Sequence, residues 1–550
     1  VNSQSINPGK KEKPQRPQMS RARVIRSVRK GVQIAALLVF LYLFVAATFM
    51  TPLPGLANLF YRLDPLVALT AMLAGRAFIA GLALAGLTLL LTLVFGRAWC
   101  GWLCPMGTTL DLITPGRRAR KHLPQPPGER WRRIKYVLLI FLLAAALFGN
   151  QSLLFLDPIT LMTRTLASAV WPLLRSAVYA AEAFLYQFDF LWTPLDAVHQ
   201  AVVYPVFKDA RSVYVLAVPI FLFFAGIVAL NWVAERFWCR YLCPLGGLLG
   251  LISRFSLFQR VVSAECTSCG ACSRRCPTGT IDPEQKFASD PAECTVCYDC
   301  IEACPREGVD FRWRLPFMKK ADARWSPAAR QGYDPGRREA LGTLGIAAAW
   351  AALGGVEPIR RRQPAELIRP PGATEANFDA LCVRCNECVK VCETQGLQAS
   401  FLEGGWQNML TPRLAPRLGY CSYNCNACGQ VCPSGAIPNL SLEAKRHTPI
   451  GLARVDRTRC LPWVYGIDCI VCEEACPLGN KAIQLEVTQM ADGRGEQVTV
   501  QRPYVIKELC IGCGVCEYQC PMGGDAAIRV FAYTEVGGYF GEDPNFGKKD

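Results

Sequence analysis

Cysteine spacing constrains this chain more than any other feature. Among its 28 cysteines, a group of four closely spaced residues recurs six times. Two stretches, "CTSCGACSRRCP" and "CTVCYDCIEACP", both read Cys-x2-Cys-x2-Cys-x3-Cys-Pro. Three thiolates at that spacing wrap one face of an Fe4S4 cube; the fourth reaches the neighbouring cube, and the proline turns the chain away. The pattern predicts one [4Fe–4S] cluster on Cys266, Cys269, Cys272 and Cys304, and a second on Cys294, Cys297, Cys300 and Cys276. Zinc sites also use Cys-x2-Cys, but they need neither a third cysteine two residues on nor Cys-Pro in tandem.

Four more quartets follow: Cys382, Cys385, Cys388, Cys392; then Cys421, Cys425, Cys428, Cys432; then Cys460, Cys469, Cys472, Cys476; then Cys510, Cys513, Cys516, Cys520. The second and third have stretched spacings, yet the total is what four further cubes require. Each quartet reads as a short loop followed by a helix that starts near the last cysteine. Such units are too small for an apolar core of their own, so the clusters act as their cross-links. Nothing is left over for disulfides.

Apolar segments at about 32–50, 77–95, 136–156 and 213–233 are long enough to span ~30 Å of hydrocarbon. Basic residues crowd the leading tail and the loop between segments two and three, which places both ends of a four-helix unit in the cytoplasm. Net charge is +16 overall, while residues 364–550 carry 17 Lys/Arg against 21 Asp/Glu. The basic residues flank apolar runs instead of interleaving with aromatics, which argues for membrane orientation and against nucleic-acid binding.

Segments two and four end alike, in "FGRAWCGWLCPMG" and "ERFWCRYLCPLGG". Cys100/Cys104 and Cys239/Cys243 each share one helical face, and two such pairs at the same depth can converge as four thiolates. They can hold a metal or a seventh cluster, or act as a dithiol relay. No Walker or dinucleotide motif is present. Three histidines, His122, His199 and His447, are too few and scattered for membrane haem b. His199, with Tyr and Trp residues in 165–212, can line a quinone site, although a surface histidine and an interfacial aromatic belt explain them better.

Two resemblances follow from these motifs. Residues ~20–315 resemble the NapH, MauN and NosR membrane ferredoxin-type proteins, through "GRAWCGWLCPMG", "CRYLCPLGGLLGLISRFSLF" and the double ferredoxin motif. Residues ~336–540 resemble the NapG/MauM ferredoxins, through "RPPGATEANFDALCVRCNECVKVC", "VCPSGAI" and "CLPWVYGIDCIVCEEACP". The chain looks like the two fused. The resemblance implies a quinol-oxidising conduit in a bacterial inner membrane, feeding a periplasmic reductase or cytochrome. An assembly factor that reduces metal or thiol centres of a partner enzyme is the alternative. It also implies nested pairing of the four later quartets: Cys382, Cys385 and Cys388 with Cys520; Cys510, Cys513 and Cys516 with Cys392; Cys421, Cys425 and Cys428 with Cys476; Cys460, Cys469 and Cys472 with Cys432.

Proteins of the NapG kind are exported folded, with clusters inserted, by the twin-arginine route. "GRREALG", with Arg337 and Arg338, resembles that signature, except that Glu339 follows the pair where Phe-Leu is usual. Ala349-Trp350-Ala351 is a candidate cleavage site. Arg360, Arg361 and Arg362 run against the positive-inside pattern if that end lies outside. The expected fold is a membrane α-helical bundle, four helices plus a fifth, carrying α+β ferredoxin-like domains. Its parts are a basic tail (1–30), a membrane domain (31–255), a cytoplasmic two-cluster domain (256–335), an internal signal or fifth span (336–356) and a periplasmic four-cluster domain (357–550). Six [4Fe–4S] clusters, a candidate seventh site and a quinone substrate complete the expectation.

Overall fold

The computed structural model describes residues 21–49, 54–114, 129–207, 214–264, 266–306, 308–313, 325–326, 341–349, 367–373, 375–491 and 496–532. Helix α1 (Arg21–Ala46) is the one described helix both long and apolar enough to cross a bilayer. Only 28% of its most apolar stretch is buried within the protein. Ile34, Leu38, Val39 and Tyr42 face outward, while Arg29, Gln33, Ala36, Phe40 and Phe44 turn inward at helical spacing. A soluble core helix would do the reverse.

The bundle continues through α2 (Pro65–Gly75), α3 (Ala85–Phe95), α4 (Ala98–Trp102), α5 (Pro105–Ile113) and α6 (Arg133–Leu147). It is completed by α7 (Pro158–Thr165), α8 (Trp171–Leu185), α9 (Ala217–Ala229) and α10 (Pro244–Ser253). The apolar segments beyond α1 form shorter helices than their hydropathy suggests. Gly149, at φ 76°, follows the end of α6, and Ser152–Leu156 is a 3-10 turn. Gly96, at φ 73°, caps α3. Apolar composition runs past the helix ends, so hydropathy alone overstates length. The segment after residue 157 is largely helical: α7 runs through a π-turn at Leu166–Val170 into α8.

The bundle is internally duplicated. "LDPLVALT" at 63–70 and "LDPITLMT" at 156–163 start α2 and α7, with Asp64 and Asp157 as N-caps. Cys104-Pro105 and Cys243-Pro244 likewise start α5 and α10. One end of the bundle therefore carries both Cys-Pro pairs and the other both Asp-Pro pairs, the arrangement of a parallel repeat.

A ferredoxin unit docks at each end. Strand Phe258–Ser263 pairs antiparallel with Val309–Trp313, Phe258 opposite Trp313, and closes the first unit against the Cys-Pro end. Arg26 pairs there with Asp299 and Glu302, and Arg97 and Lys135 both reach the buried Glu293. Gly101 has no alternative at this contact, because a Cβ would sit 2.2 Å from the Thr295 carbonyl oxygen. The later cysteines dock at the Asp-Pro end. Lys390 donates to the Phe44 carbonyl with its ammonium 3.6 Å from the Phe44 ring centroid, and Asn386 donates to Ser168 at 3.0 Å.

Short helices Ala271–Arg275, Asp299–Glu302, Glu387–Val391 and Val515–Gln519 span the third cysteine of their quartets and end before the fourth. This corrects the expectation of a helix starting near the last cysteine. Of the internal signal, 341–349 is helical; Arg337, Arg338, Glu339, Trp350, Ala351 and Arg360 to Arg362 lie outside the described residues.

Candidate functional site

In the first ferredoxin unit, Cys272 and Cys300 are buried against Ile281, Phe287 and Val309, with Cys266, Cys276 and Cys304 beside them. Cys272 has Cys266 and Cys304 as its thiol neighbours. Cys276 lies among Cys294, Cys297 and Cys300. Cys269 is exposed. The buried Arg260 guanidinium lies near Cys300, Cys272 and Cys294, and so near both groups.

The four later quartets surround four cavities. One is lined by Cys382, Cys385, Cys388 and Cys432, and the next by Cys392, Cys421, Cys425 and Cys428. A third is lined by Cys460, Cys469, Cys472 and Cys520, and a fourth by Cys476, Cys510, Cys513 and Cys516. First therefore pairs with second, and third with fourth, which corrects the nested arrangement. The reason lies in the strands. Gly451–Val455 pairs with Ile528–Ala532, and Leu397–Ala399 with Pro412–Leu414, so each double quartet is closed by its own strand pair.

The cavities form a line. Cys388 feels Cys428, the Cys421 N–H donates to the Cys513 carbonyl at 2.8 Å, and Cys516 feels Cys472. The order leading away from the bundle is thus first, second, fourth and third quartet. Burial pushes Cys382 up to about 11 and Cys472 up to about 12, so these thiols hold their protons until a cation displaces them.

The backbone fits a cluster as well. In each regularly spaced quartet, the residues on both sides of the second cysteine have positive φ: Ser268 and Gly270, Val296 and Tyr298, Arg384 and Asn386, Gly512 and Gly514. For Val296 and Tyr298 that conformation is strained. Successive N–H groups in such turns form a nest for an anion, a device common around iron–sulfur clusters. Among the described residues no three His, Cys, Asp or Glu converge closely enough for a single metal ion. The thiols ring cavities instead.

Cys100, Cys104, Cys239 and Cys243 also come together. Each is only 4 to 8% exposed, and Cys243 has Cys239, Cys100 and Cys104 as charge neighbours. Two buried arginines cross-brace them. Arg236 donates to the Cys100 carbonyl at 3.2 Å, and Arg97 reaches the first turn of α10, where a Cβ on Gly246 would lie 2.7 Å from its Nη2. The Cys243 sulfur accepts the Gly246 N–H at 3.2 Å, so it sits at the positive end of α10. Arg236 also lies near Cys297, which links this group to the first ferredoxin unit.

Arg236 is held by Asp111, Nε to Oδ1 at 2.7 Å and Nη2 to Oδ2 at 2.6 Å. Burial alone would raise the Asp111 carboxyl, but Arg236, Gln33 and Arg29 hold it at about 2. A depressed carboxyl stabilises the fold above its unfolded value and loses that effect as pH falls through the folded one. Asp111→Asn should therefore cost roughly 2 kcal/mol at pH 7, unchanged from pH 8 to about 5 and shrinking below about 4. Urea unfolding of detergent-solubilised protein measures it; a difference already shrinking at pH 6 would contradict the assignment.

Sequence reasoning overlooked Arg97, Arg236, Gly107 and Gly246, although the full duplicated pattern, Arg-x2-Cys-x3-Cys-Pro-x-Gly, was there to read. It also overlooked the duplicated Asp-Pro pair. His199 sits 3.2 Å from Glu182, His447 caps Leu442–Arg446, and His122 lies outside the described residues.

Family comparisons agree with this layout. Residues 77–122 and 216–263 match a "4Fe-4S binding domain", 259–306 a "4Fe-4S dicluster domain", and 503–524 a further "4Fe-4S binding domain". The methylamine utilization ferredoxin-type protein MauM of Methylorubrum extorquens is 36% identical over 210 residues, 36% of this chain and 89% of MauM. The ferredoxin-type protein NapG of Escherichia coli is 35% identical over 207 residues, 37% of this chain and 86% of NapG. MauN of M. extorquens, also a methylamine utilization ferredoxin-type protein, is 29% identical over 219 residues, 39% of this chain and 59% of MauN. No solved structure matches. With its cysteine cavities and these relatives, the chain belongs to the NapG and MauM family of ferredoxin-type iron–sulfur electron-transfer proteins, and over part of its length it is similar to MauN as well.

Proposed function

We propose that the protein is a membrane-bound quinol dehydrogenase subunit that passes electrons to a periplasmic reductase or cytochrome. In this reading Cys266 to Cys304 and Cys382 to Cys520 hold six [4Fe–4S] clusters, and the buried Cys100, Cys104, Cys239 and Cys243 hold a seventh. Each cluster supplies one-electron transfer; the chain positions the thiols, excludes water and supplies compensating charge.

The observation that carries the reading is a ferredoxin unit at each end of one apolar bundle. Helix α1 touches both, through Arg26 and through Phe44. At 1.5 Å per residue those positions are about 27 Å apart, close to the thickness of a hydrocarbon core. The Cys-Pro end carries Arg26, Arg29, Arg97, Lys135 and Arg236, which supports a cytoplasmic side for it. Leu87, Leu90, Phe221, Leu222 and Phe223 on α3 and α9 are exposed, as lipid contact requires. The line of cavities then leads outward from the Asp-Pro end to the group of Cys460, Cys469, Cys472 and Cys520, where an acceptor collects electrons. A maturation role, delivering electrons to a partner's metal or thiols, is disfavoured because the four bundle cysteines are too buried to meet a partner.

Topology tests this. A reporter at Trp325 should report cytoplasm and one at Asp550 periplasm, and Arg337→Lys with Arg338→Lys should trap the second on the cytoplasmic side. Both fusions reporting the same compartment in the native protein would overturn the reading.

A further inference from the structure

The duplicated Leu-Asp-Pro motif brings two carboxyls face to face. Asp64 and Asp157 are both completely buried. One oxygen of each is committed to capping. Asp64 Oδ1 accepts the Leu66 and Val67 N–H groups at 2.8 and 3.2 Å, and Asp157 Oδ2 accepts those of Ile159 and Thr160 at 3.0 and 2.9 Å. The other two, Asp64 Oδ2 and Asp157 Oδ1, accept no hydrogen bond of ordinary geometry, with the Thr160 hydroxyl beside Asp157, and the two side chains contact each other. Touching carboxylates in a buried site cannot both be ionised, and one shared proton satisfies both bare oxygens. Burial, then the neighbouring carboxylate, pushes Asp64 well above the usual carboxylate range.

The surroundings connect this pair to the nearest cysteine cavity. Tyr61, from the turn Leu59–Arg62, has Cys385, Glu387 and Asp157 as charge neighbours. Arg164, on α7, has Tyr61, Cys385, Arg384 and Asp157. Arg164 is 1% exposed, and its Nε and Nη1 have no hydrogen-bond partner. From the docked unit, Lys390 lies 3.8 Å from Glu387, and Asp379 is held by Arg369 at 3.4 Å. The charged residues of α6, Arg133 and Lys135, lie at its opposite end. Arg164 is thus the cation shared between the carboxyl pair and Cys385.

We propose that the Asp64–Asp157 pair is a redox-linked proton site for the cavity of Cys382, Cys385, Cys388 and Cys432. The inference rests on the reading that this cavity holds a [4Fe–4S] cluster. As one electron arrives there from a quinol-class donor, the pair takes up one proton from water; as the electron moves on, the pair releases it. No bond between heavy atoms forms or breaks, and each electron's charge is matched by one proton. The physical cause is low dielectric: a negative charge added near Arg164 is poorly screened and raises proton affinity on the adjacent carboxylates. By linkage, protonation of the pair must favour reduction equally.

The test uses full-length, anaerobically purified, cluster-loaded protein reduced with dithionite. Paramagnetic-resonance redox titrations from pH 5 to 9 follow the signal that Cys385→Ser removes. Its midpoint should fall as pH rises, approaching a tenfold change in the reduction equilibrium per pH unit within the pair's range, about 59 mV for one electron. The double variant Asp64→Asn with Asp157→Asn should make it flat, while asparagine retains both helix caps. Infrared difference spectra of the unmodified protein give a second readout: a protonated-carboxyl band should change with cluster reduction and be missing from the double variant. A pH-independent midpoint in the unmodified protein, or a slope that survives in the double variant, overturns the proton site and leaves the cluster reading standing. Absence of any Cys385-dependent signal in the unmodified protein overturns the cluster reading, and the proton site with it.

Discussion

Replacing Cys104 with serine should lower the iron content of anaerobically purified protein from about 28 to about 24 atoms per chain, the loss of one cube. Geometry and charge both point this way. Cys100, Cys104, Cys239 and Cys243 converge in a site no more than 8% exposed. Four thiolates around a cubane leave roughly two negative charges, which would be costly to bury alone. Arg97 and Arg236, both 1% exposed, lie beside the site from opposite halves of the repeat; Asp111 offsets Arg236, while Arg97 and Lys135 share Glu293, so net positive charge remains. A pair of dithiols acting as a relay would need only the close pairs and no such balance. Iron unchanged in Cys104→Ser, with electron transfer from quinol lost, would favour the relay. Iron and electron transfer both unchanged would make these cysteines structural.

Cys432→Ser should behave like Cys382→Ser. Both remove a ligand from the cavity nearest the bundle, so each should lose about four iron atoms and the same resonance signal. Cys520→Ser should instead match Cys460→Ser, at the far end of the line. The functional consequences differ as sharply. With the nearest cavity empty, the remaining three outer clusters should stay oxidised in the presence of quinol yet still accept electrons from dithionite. With the far cavity empty, all three others should still be reduced by quinol. A common signal lost from both Cys382→Ser and Cys520→Ser would restore the nested pairing and refute the strand-closed arrangement.

Ligands of one cube that lie within a dozen residues were legible, because their geometry is local. Spacing alone groups Cys266, Cys269 and Cys272, or Cys510, Cys513 and Cys516, and the double motif marks the chain as a ferredoxin. The duplicated Cys-Pro pairs were legible too, because the repeated spacing is local; the shared helical face expected of them is corrected, since Cys104 and Cys243 are extended residues that each start the next helix. The partner of each fourth cysteine in the four later quartets was not, since it depends on which strands close around it. Gly451–Val455 meets Ile528–Ala532 only in three dimensions, and that contact is what pairs Cys476 with the fourth quartet and Cys520 with the third.

Helix length divides in the same way. Hydropathy located all four apolar segments, but α3 begins only at Ala85, after the 3-10 turn Ala80–Leu82, and Gly149 follows the end of α6, so only α1 has spanning length among the described residues. The deepest gap concerns Asp64 and Asp157. Each alone reads as an ordinary helix cap before proline, at home on any surface. Composition, spacing and repeat determined that this chain is an iron–sulfur protein with an apolar bundle. Only the tertiary structure buried the two caps against each other and set Arg164 between them and Cys385, because burial and contact arise between segments far apart in sequence.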